Sequence, residues 1–274
     1  AAMRELGFAD VVEVAIGADL CTVEEAHDFL ENVPEKLPFM GTSCCPAWSV
    51  MAKKLFPQFK DCISMALTPM TLTARLIKHE HPNAKVVFIG PCAAKKLEAM
   101  RKSVRSEVDF VLTFEEMAGI FAAKHVDLTT IEEDPDGVND ASTDGRSFAV
   151  GGGVAKAVVN VIQHRYPGRE VKVTSSQGLR ECRKMMQEAV AGKYPGYLLE
   201  GMACPGGCAG GGGQPIHEGQ EMAAVRGDRL WKLDADAELR FSHENPEVQA
   251  LYKEYLKKPL GERSLQLLHT ERER

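Results

Sequence analysis

The amino-acid sequence predicts an α/β fold with mostly parallel sheets flanked by helices. Short strand-like apolar runs alternate with longer stretches of helical period, the pattern of strand–helix–strand units. Lys85-Val86-Val87-Phe88-Ile89 reads as a buried strand. The cysteine-bearing loops also follow strand ends, where open α/β sheets place their sites.

The elements follow in chain order. Thr22-Val23-Glu24-Glu25, just after Cys21, marks a helix start, and its acidic residues suit a first turn. Pro38-Phe39-Met40 is a short strand entering the Cys44 loop, and a helical pattern follows over 47–57. A second helix spans 69–80. After the 85–89 strand come Phe110-Val111-Leu112 and a helix over 114–124. Residues 125–146, with Glu132-Glu133-Asp134-Pro135-Asp136-Gly137, read as an acidic surface loop. Phe148-Ala149-Val150 and Val171-Lys172-Val173 are strand candidates around a helix at 152–164. A helix at 178–191 precedes Tyr197-Leu198-Leu199, and helices at 246–257 and 261–268 close a helical tail over about 240–274. No internal repeat is visible.

The 274 residues, 44% hydrophobic and 26% charged, allow one large domain or two small ones with a sizeable core. No apolar run reaches the length of a membrane span. The charges Arg4, Glu5, Asp10, Glu13 and Asp19 exclude a secretory apolar core in the first twenty residues. A formal net charge of -6 argues against nucleic-acid binding. These features predict a cytoplasmic protein.

The eight cysteines carry most of the information. A disulfide framework fits poorly, because the chain is large enough to fold on its own core and a reducing compartment is expected. Cys21, Cys62 and Cys182 lie in bland surroundings and read as packing thiols. The other five lie in Thr42-Ser43-Cys44-Cys45-Pro46, Gly90-Pro91-Cys92-Ala93-Ala94 and Cys204-Pro205-Gly206-Gly207-Cys208. Proline stiffens each loop, and glycine lets backbone N–H groups approach anionic sulfur. Zinc sites use compact paired spacings, unlike the long intervals here. The glycine run lacks a phosphate-loop pattern. Thiolates from three separated loops suit a [4Fe–4S] cluster.

The segments TSCCPAW, GPCAAKKLEA and MACPGGCAGGGGQP resemble the three signature motifs of the catalytic domain of [FeFe]-hydrogenases. The likeness extends through GADLCTVEEA, GLRECRKMMQEAVAGKYPGYLLEGMACPGGC and SHENPEVQALYKEYLKKPLGERSLQLLHT, nearly the whole chain. It implies an H-cluster held between two lobes of one hydrogenase domain over 1–274. Cys45, Cys92, Cys204 and Cys208 would ligate a [4Fe–4S] cube. Cys208 would also bridge to a two-iron subcluster carrying CO, cyanide and a bridging dithiolate.

The resemblance assigns further roles. Lys95 matches the lysine that hydrogen-bonds a cyanide, and Glu98 a carboxylate paired with a nearby basic group. Lys96 reads as a solvated lysine. Cys44 matches a non-ligating thiol that exchanges protons, which an ordinary thiol pKa would suit. Ser64, Glu25 and Asp28 match the relay hydroxyl and carboxylates. Glu25 and Asp28 share a helix face; as an acidic cluster at a helix start they have an alternative reading through the helix dipole. Met202, Phe148 and Pro69 match the walls of the two-iron pocket.

Departures accompany the likeness. Gly90 stands where a methionine is usual, which predicts a larger and wetter pocket. Met70 and Ala94 replace a usual glutamine and serine. Against the family pattern the domain is expected to lack the N-terminal segment, which would be a separate chain, a removed piece or a genuine truncation, and the accessory iron–sulfur domains. The implied activity is reversible reduction of protons to H2, with electrons from a ferredoxin-like carrier and a cofactor built by hydrogenase maturation proteins. A low-turnover hydrogen sensor and a non-catalytic [4Fe–4S] relative of hydrogenases are the alternatives.

Overall fold

A computed structural model of the chain describes residues 1–134, 137–217 and 220–270. Its strands are β1 (Met40–Gly41), β2 (Val87–Gly90), β3 (Phe110–Thr113), β4 (Lys172–Gln177) and β5 (Tyr197–Met202). Its first helices are α1 (Ala2–Glu5), α2 (Ala15–Asn32), α3 (Pro46–Leu55), α4 (Pro69–Glu80), α5 (Ala94–Met100) and α6 (Phe114–Ala123). They continue with α7 (Thr143–Ser147), α8 (Gly153–Arg165), α9 (Leu179–Val190), α10 (Ala223–Leu233), α11 (Pro246–Leu251) and α12 (Glu262–Leu268), and a π-helical turn covers Tyr252–Leu256.

The strands form two sheets, both wholly parallel. One has the order β1–β5–β4, with Met40 and Val173 both level with Leu198; the other pairs β2 with β3. β5 is central and buried from Leu198 to Met202, as a strand covered on both faces is. Glu200 is buried within it. Its carboxylate accepts the N–H groups of Gly152 (2.6 Å) and Ala155 (2.7 Å) at the start of α8, where an anion is favoured. Prolines open α3, α4 and α11 at the first helical position, where the missing donor costs nothing. Thr113 and Glu116 close a reciprocal capping box on α6.

The largest buried side chains, among them Trp48, Phe39, Met40, Leu198 and Leu199, pack around the three-stranded sheet. Gly201 permits this: a Cβ there would lie 2.2 Å from the Trp48 ring. β5 therefore sits directly on α3.

Four expectations need correction. The helix expected from Thr22 begins at Ala15, and Thr22 lies inside it with its hydroxyl donating to the Ala18 carbonyl at 2.8 Å. Glu25 and Asp28 are thus far from a helix start, and a first-turn dipole does not explain them. Phe148-Ala149-Val150 is a turn, not a strand: its three N–H groups reach back to Gly145, Arg146 and Ser147 carbonyls. A short buried apolar run has no periodicity to separate the two. The helix expected over 246–257 breaks into α11 and the π turn, and α5 and α10 carried no clear pattern. Pro135 and Asp136 of the acidic loop, and 271–274 of the tail, lie outside the described residues.

Candidate metal centre

Each cysteine loop leaves the C-terminal end of a parallel strand. Cys45 lies four residues after β1 and caps α3 in an extended conformation. Cys92 lies two residues after β2, and Cys204 and Cys208 follow β5. The two sheets thus point their ligand loops at one region. Contacts between the loops fix their approach. The Ala203 N–H donates to Cys45 Sγ at 3.4 Å. Gly213 N–H reaches the Pro91 carbonyl at 2.9 Å, and Ala209 N–H reaches the Ala149 carbonyl at 2.9 Å. Gly207 (φ +74°) lies against the 149–151 backbone, where a Cβ would meet atoms from 2.8 Å.

All eight cysteines are free thiols. Burial, then the charges of Cys92, Cys45 and Cys204, push the Cys208 thiol up to about 12. Burial raises Cys92 too, against the pull of the Lys95 charge. Four sulfurs from three loops therefore repel one another as thiolates, a repulsion that a cationic iron cluster would relieve. Among the described residues no three His, Cys, Asp or Glu side chains converge on a single ion. The donor set fits a [4Fe–4S] cube.

Beside it lies a buried apolar cluster containing Cys44, Phe148 and Met202. Cys21, expected to be bland, packs in the same cluster, and its charge is felt by Cys44. Lys95 is buried, its Nζ 2.7 Å from Glu98 Oε2 and 3.4 Å from the Cys44 carbonyl. Burial alone would lower its pKa, but Glu98, together with the Cys92 and Cys44 charges, raises it. Glu98 also accepts from Thr68 at 3.1 Å, which ties Pro69 and the start of α4 to this pair. Lys96 lies at the surface in an ion pair with Glu116. Gly90 does not open free space: a Cβ there would lie 2.6 Å from the Phe88 ring, which folds over it from the same face of β2.

Glu25 lies one turn beyond Cys21 on α2 and is fully buried. Its Oε1 accepts the Ser43 N–H at 2.8 Å, and the Ser43 hydroxyl lies 3.0 Å away. Burial still pushes Glu25 up to about 7. The Ser64 hydroxyl stabilises the ionised forms of both Glu25 and Asp28, but leaves Glu25 Oε2 buried without a full hydrogen bond. Burial raises Asp28 as well, against the His269 charge and the Asn32 amide at 2.8 Å. One expectation changes here. Burial and the Glu25 charge hold the Cys44 thiol well above its ordinary range, so it stays protonated near neutrality.

The family profile for the iron only hydrogenase large subunit, C-terminal domain, matches residues 1–212. That for the iron hydrogenase small subunit matches residues 220–271. The NADP-reducing hydrogenase subunit HndD of Solidesulfovibrio fructosivorans is 34% identical over 319 residues, covering 98% of this chain and 54% of the relative. The periplasmic [Fe] hydrogenase large subunit of Nitratidesulfovibrio vulgaris is 30% identical, covering 80% of this chain and 62% of its own. The cytosolic iron-sulfur assembly component 3 of Mus musculus is 27% identical over 98% of this chain and 67% of its own. Among solved structures, an apo [FeFe]-hydrogenase variant from Chlamydomonas reinhardtii superposes with a TM-score of 0.81 at 27% identity, covering 98% of this chain and 86% of that one. The chain spans about half the length of the first two curated hydrogenases it matches, at 54% and 55%. By its family profile and by this likeness, the chain belongs to the iron-only hydrogenases.

Proposed function

We propose that the chain is the catalytic part of an [FeFe]-hydrogenase that interconverts protons and H2. The observation that carries this reading is the approach of three strand-end loops, tied by the Ala203–Cys45, Gly213–Pro91 and Ala209–Ala149 contacts, with Cys44 buried and its neighbour Ser43 bonded to Glu25. Cys45, Cys92, Cys204 and Cys208 would hold the cube, and Cys208 also the two-iron subcluster with CO, cyanide and dithiolate ligands. When bound, that cofactor supplies the redox chemistry and the open metal position where H2 is made or split.

The chain's own residues hold, shield and feed it. Lys95, fixed by Glu98, presents a buried ammonium to an anionic ligand. Phe148 and Met202 form a dry wall, with Pro69 at the head of α4 tied in through Thr68 and Glu98. Protons enter at half-buried Asp28, pass the Ser64 hydroxyl to Glu25, and reach Cys44, whose neighbour Ser43 is bonded to Glu25. Electrons come from a ferredoxin-like carrier where exposed Pro205 brings the Cys204 loop to the surface. Maturation proteins build the two-iron unit. Eight free thiols favour a reducing compartment, and among the described residues no helix is long and apolar enough to cross a membrane.

A second reading, a non-catalytic iron–sulfur protein, draws on the assembly-component likeness. Cys44, Lys95, Phe148 and Met202 together favour the hydrogenase. A third reading, a low-turnover hydrogen sensor, draws on Gly90 standing where a methionine is usual. Infrared spectroscopy of the matured chain separates these readings. CO and cyanide bands with H2 turnover are expected. Iron without those bands after full maturation overturns the hydrogenase in favour of the non-catalytic protein, and bands with negligible turnover select the sensor.

A further inference from the structure

The carboxy-terminal segment, matched by the small-subunit profile, lies against residues 65–67 and places His269 beside Glu24 of α2. The Leu67 N–H donates to the Leu268 carbonyl at 2.8 Å, and the Thr270 N–H donates to the Met65 carbonyl at 2.8 Å. Ala66 and His269 form an antiparallel bridge. Residues 65–67 are thus paired like a strand edge with 268–270. The same short stretch carries the path. Ser64 Oγ accepts the Ala66 N–H at 3.2 Å, and the Ser43 hydroxyl lies 2.6 Å from the Ala66 carbonyl.

The second anchor is on α2. Glu24 is fully buried, and its Oε2 lies 2.9 Å from His269 Nε2. Oε2 also accepts the Leu260 N–H at 3.2 Å, and Oε1 accepts the Tyr252 hydroxyl at 2.5 Å from the π turn. Asp28 stands one helical turn beyond Glu24 on the same face. Among the described residues, the titratable groups that face His269 are Glu24 and Asp28 of α2, with Tyr252 reaching it through Glu24, and residues 65–67 add no charge. Each contact is far apart in sequence: His269 and Glu24 are separated by 245 positions.

Resting on the proton path above, we propose that His269 is a positioning residue of that path: it ties the carboxy-terminal segment to α2 and holds Ser64 and Asp28 in working register. When protonated, its ring also favours the ionised form of Asp28. A packing role alone would require only shape and one donor to Glu24. The proposed role adds the pull of the protonated ring on Asp28, and the two are separable.

The test uses the full matured chain. His269→Gln keeps a donor for Glu24 and removes the cation. His269→Asn, which also removes the imidazole, gives a second route if the first variant folds poorly; Glu24 is left in place because its own charge raises Asp28. The readout is the infrared band of protonated carboxyl groups against pH, with Asp28→Asn identifying the Asp28 contribution. The expected result is an Asp28 midpoint raised by about one pH unit in His269→Gln, the scale of losing a nearby opposite charge. H2 evolution should fall several-fold with the thermal midpoint unchanged. An Asp28 band that stays in place in both variants overturns the proposal. Unchanged H2 evolution in Asp28→Asn and Ser64→Ala is a different result: it removes the proton path itself and leaves the band measurement standing.

Discussion

Glu25 illustrates how one buried carboxyl couples function to stability. Its proton is bound more tightly in the folded chain, with a pKa near 7 against 4.5 in the open chain. Between those values the unfolded state ionises and the folded state does not, so folding stability falls as pH rises from about 4.5 to 7. The loss amounts to roughly 3 kcal/mol. Glu25→Gln should flatten that fall, which thermal midpoints measured from pH 4.5 to 7.5 would show; an unchanged slope would remove Glu25 as its source. In the matured chain, Glu25→Gln and Cys44→Ala should each lower H2 evolution by about 10²–10⁴-fold, the scale of general acid–base catalysis. Iron content should stay intact, because neither residue is among the four candidate ligands. Parallel loss of iron and activity would instead give these residues a role in cluster assembly. The cysteines themselves were legible in the sequence, since cysteine, proline and glycine are concentrated there. Ser43, Glu24 and His269 were not: a serine beside a cysteine or a distant histidine carries no local signal.

At the scale of elements, the strand ends do most to build the site. β2 carries Phe88 and Gly90 on one face, and the ring occupies the space a larger residue at 90 would need. Gly90→Met alone should therefore overpack the strand and cost about 1–3 kcal/mol. Adding Phe88→Ala should recover most of the loss, giving a coupling that a double-mutant cycle of thermal or denaturant midpoints would measure. Additive effects would mean that the two side chains do not compete. The helix at 69–80 and the tail helix at 261–268 emerged from sequence with nearly their final bounds, because Pro69 and the apolar periods mark them. α2 was only half seen. Its first turns are small and mixed in character, and they are helical because both sides are covered: Gly17 lets the Pro69 carbonyl approach to 2.5 Å of where a Cβ would sit. Likewise 148–150 became a turn because Ala149 must present its carbonyl to the Cys208 loop.

Across the whole molecule, buried polar hubs join distant segments. Asp19, fully buried, accepts the Ser142 N–H (2.9 Å), the Ser142 hydroxyl (2.5 Å), the Ser242 hydroxyl (2.7 Å) and the Asn245 amide (2.8 Å). Asp19→Ala strands all four groups and should cost about 3–5 kcal/mol. Limited proteolysis should then cut first near 235–250, and uniform protection there would show that the tail is held elsewhere. The surface beside the cluster loop offers a second prediction. Gly206 N–H donates to Gln177 at the end of β4, and exposed Arg180, Arg183 and Lys184 follow on α9. An acidic electron carrier should be steered to this edge, so Arg180→Glu with Arg183→Glu should raise its KM and flatten the salt dependence of electron transfer. H2 evolution from a small uncharged reductant should not change. An unaltered KM would move the docking site elsewhere.

By itself the sequence determined the chemistry on offer and the kind of scaffold: five distinctive cysteines in proline- and glycine-stiffened loops, strands alternating with helices, and the family those motifs resemble. These are local properties of residue type and period, and they survive without knowing what touches what. Tertiary structure alone decided which carboxylate is buried to a pKa near 7, which ring fills the gap above Gly90, and which histidine 245 positions away closes on Glu24. Burial and long-range contact create those properties, and neither exists until the chain has folded.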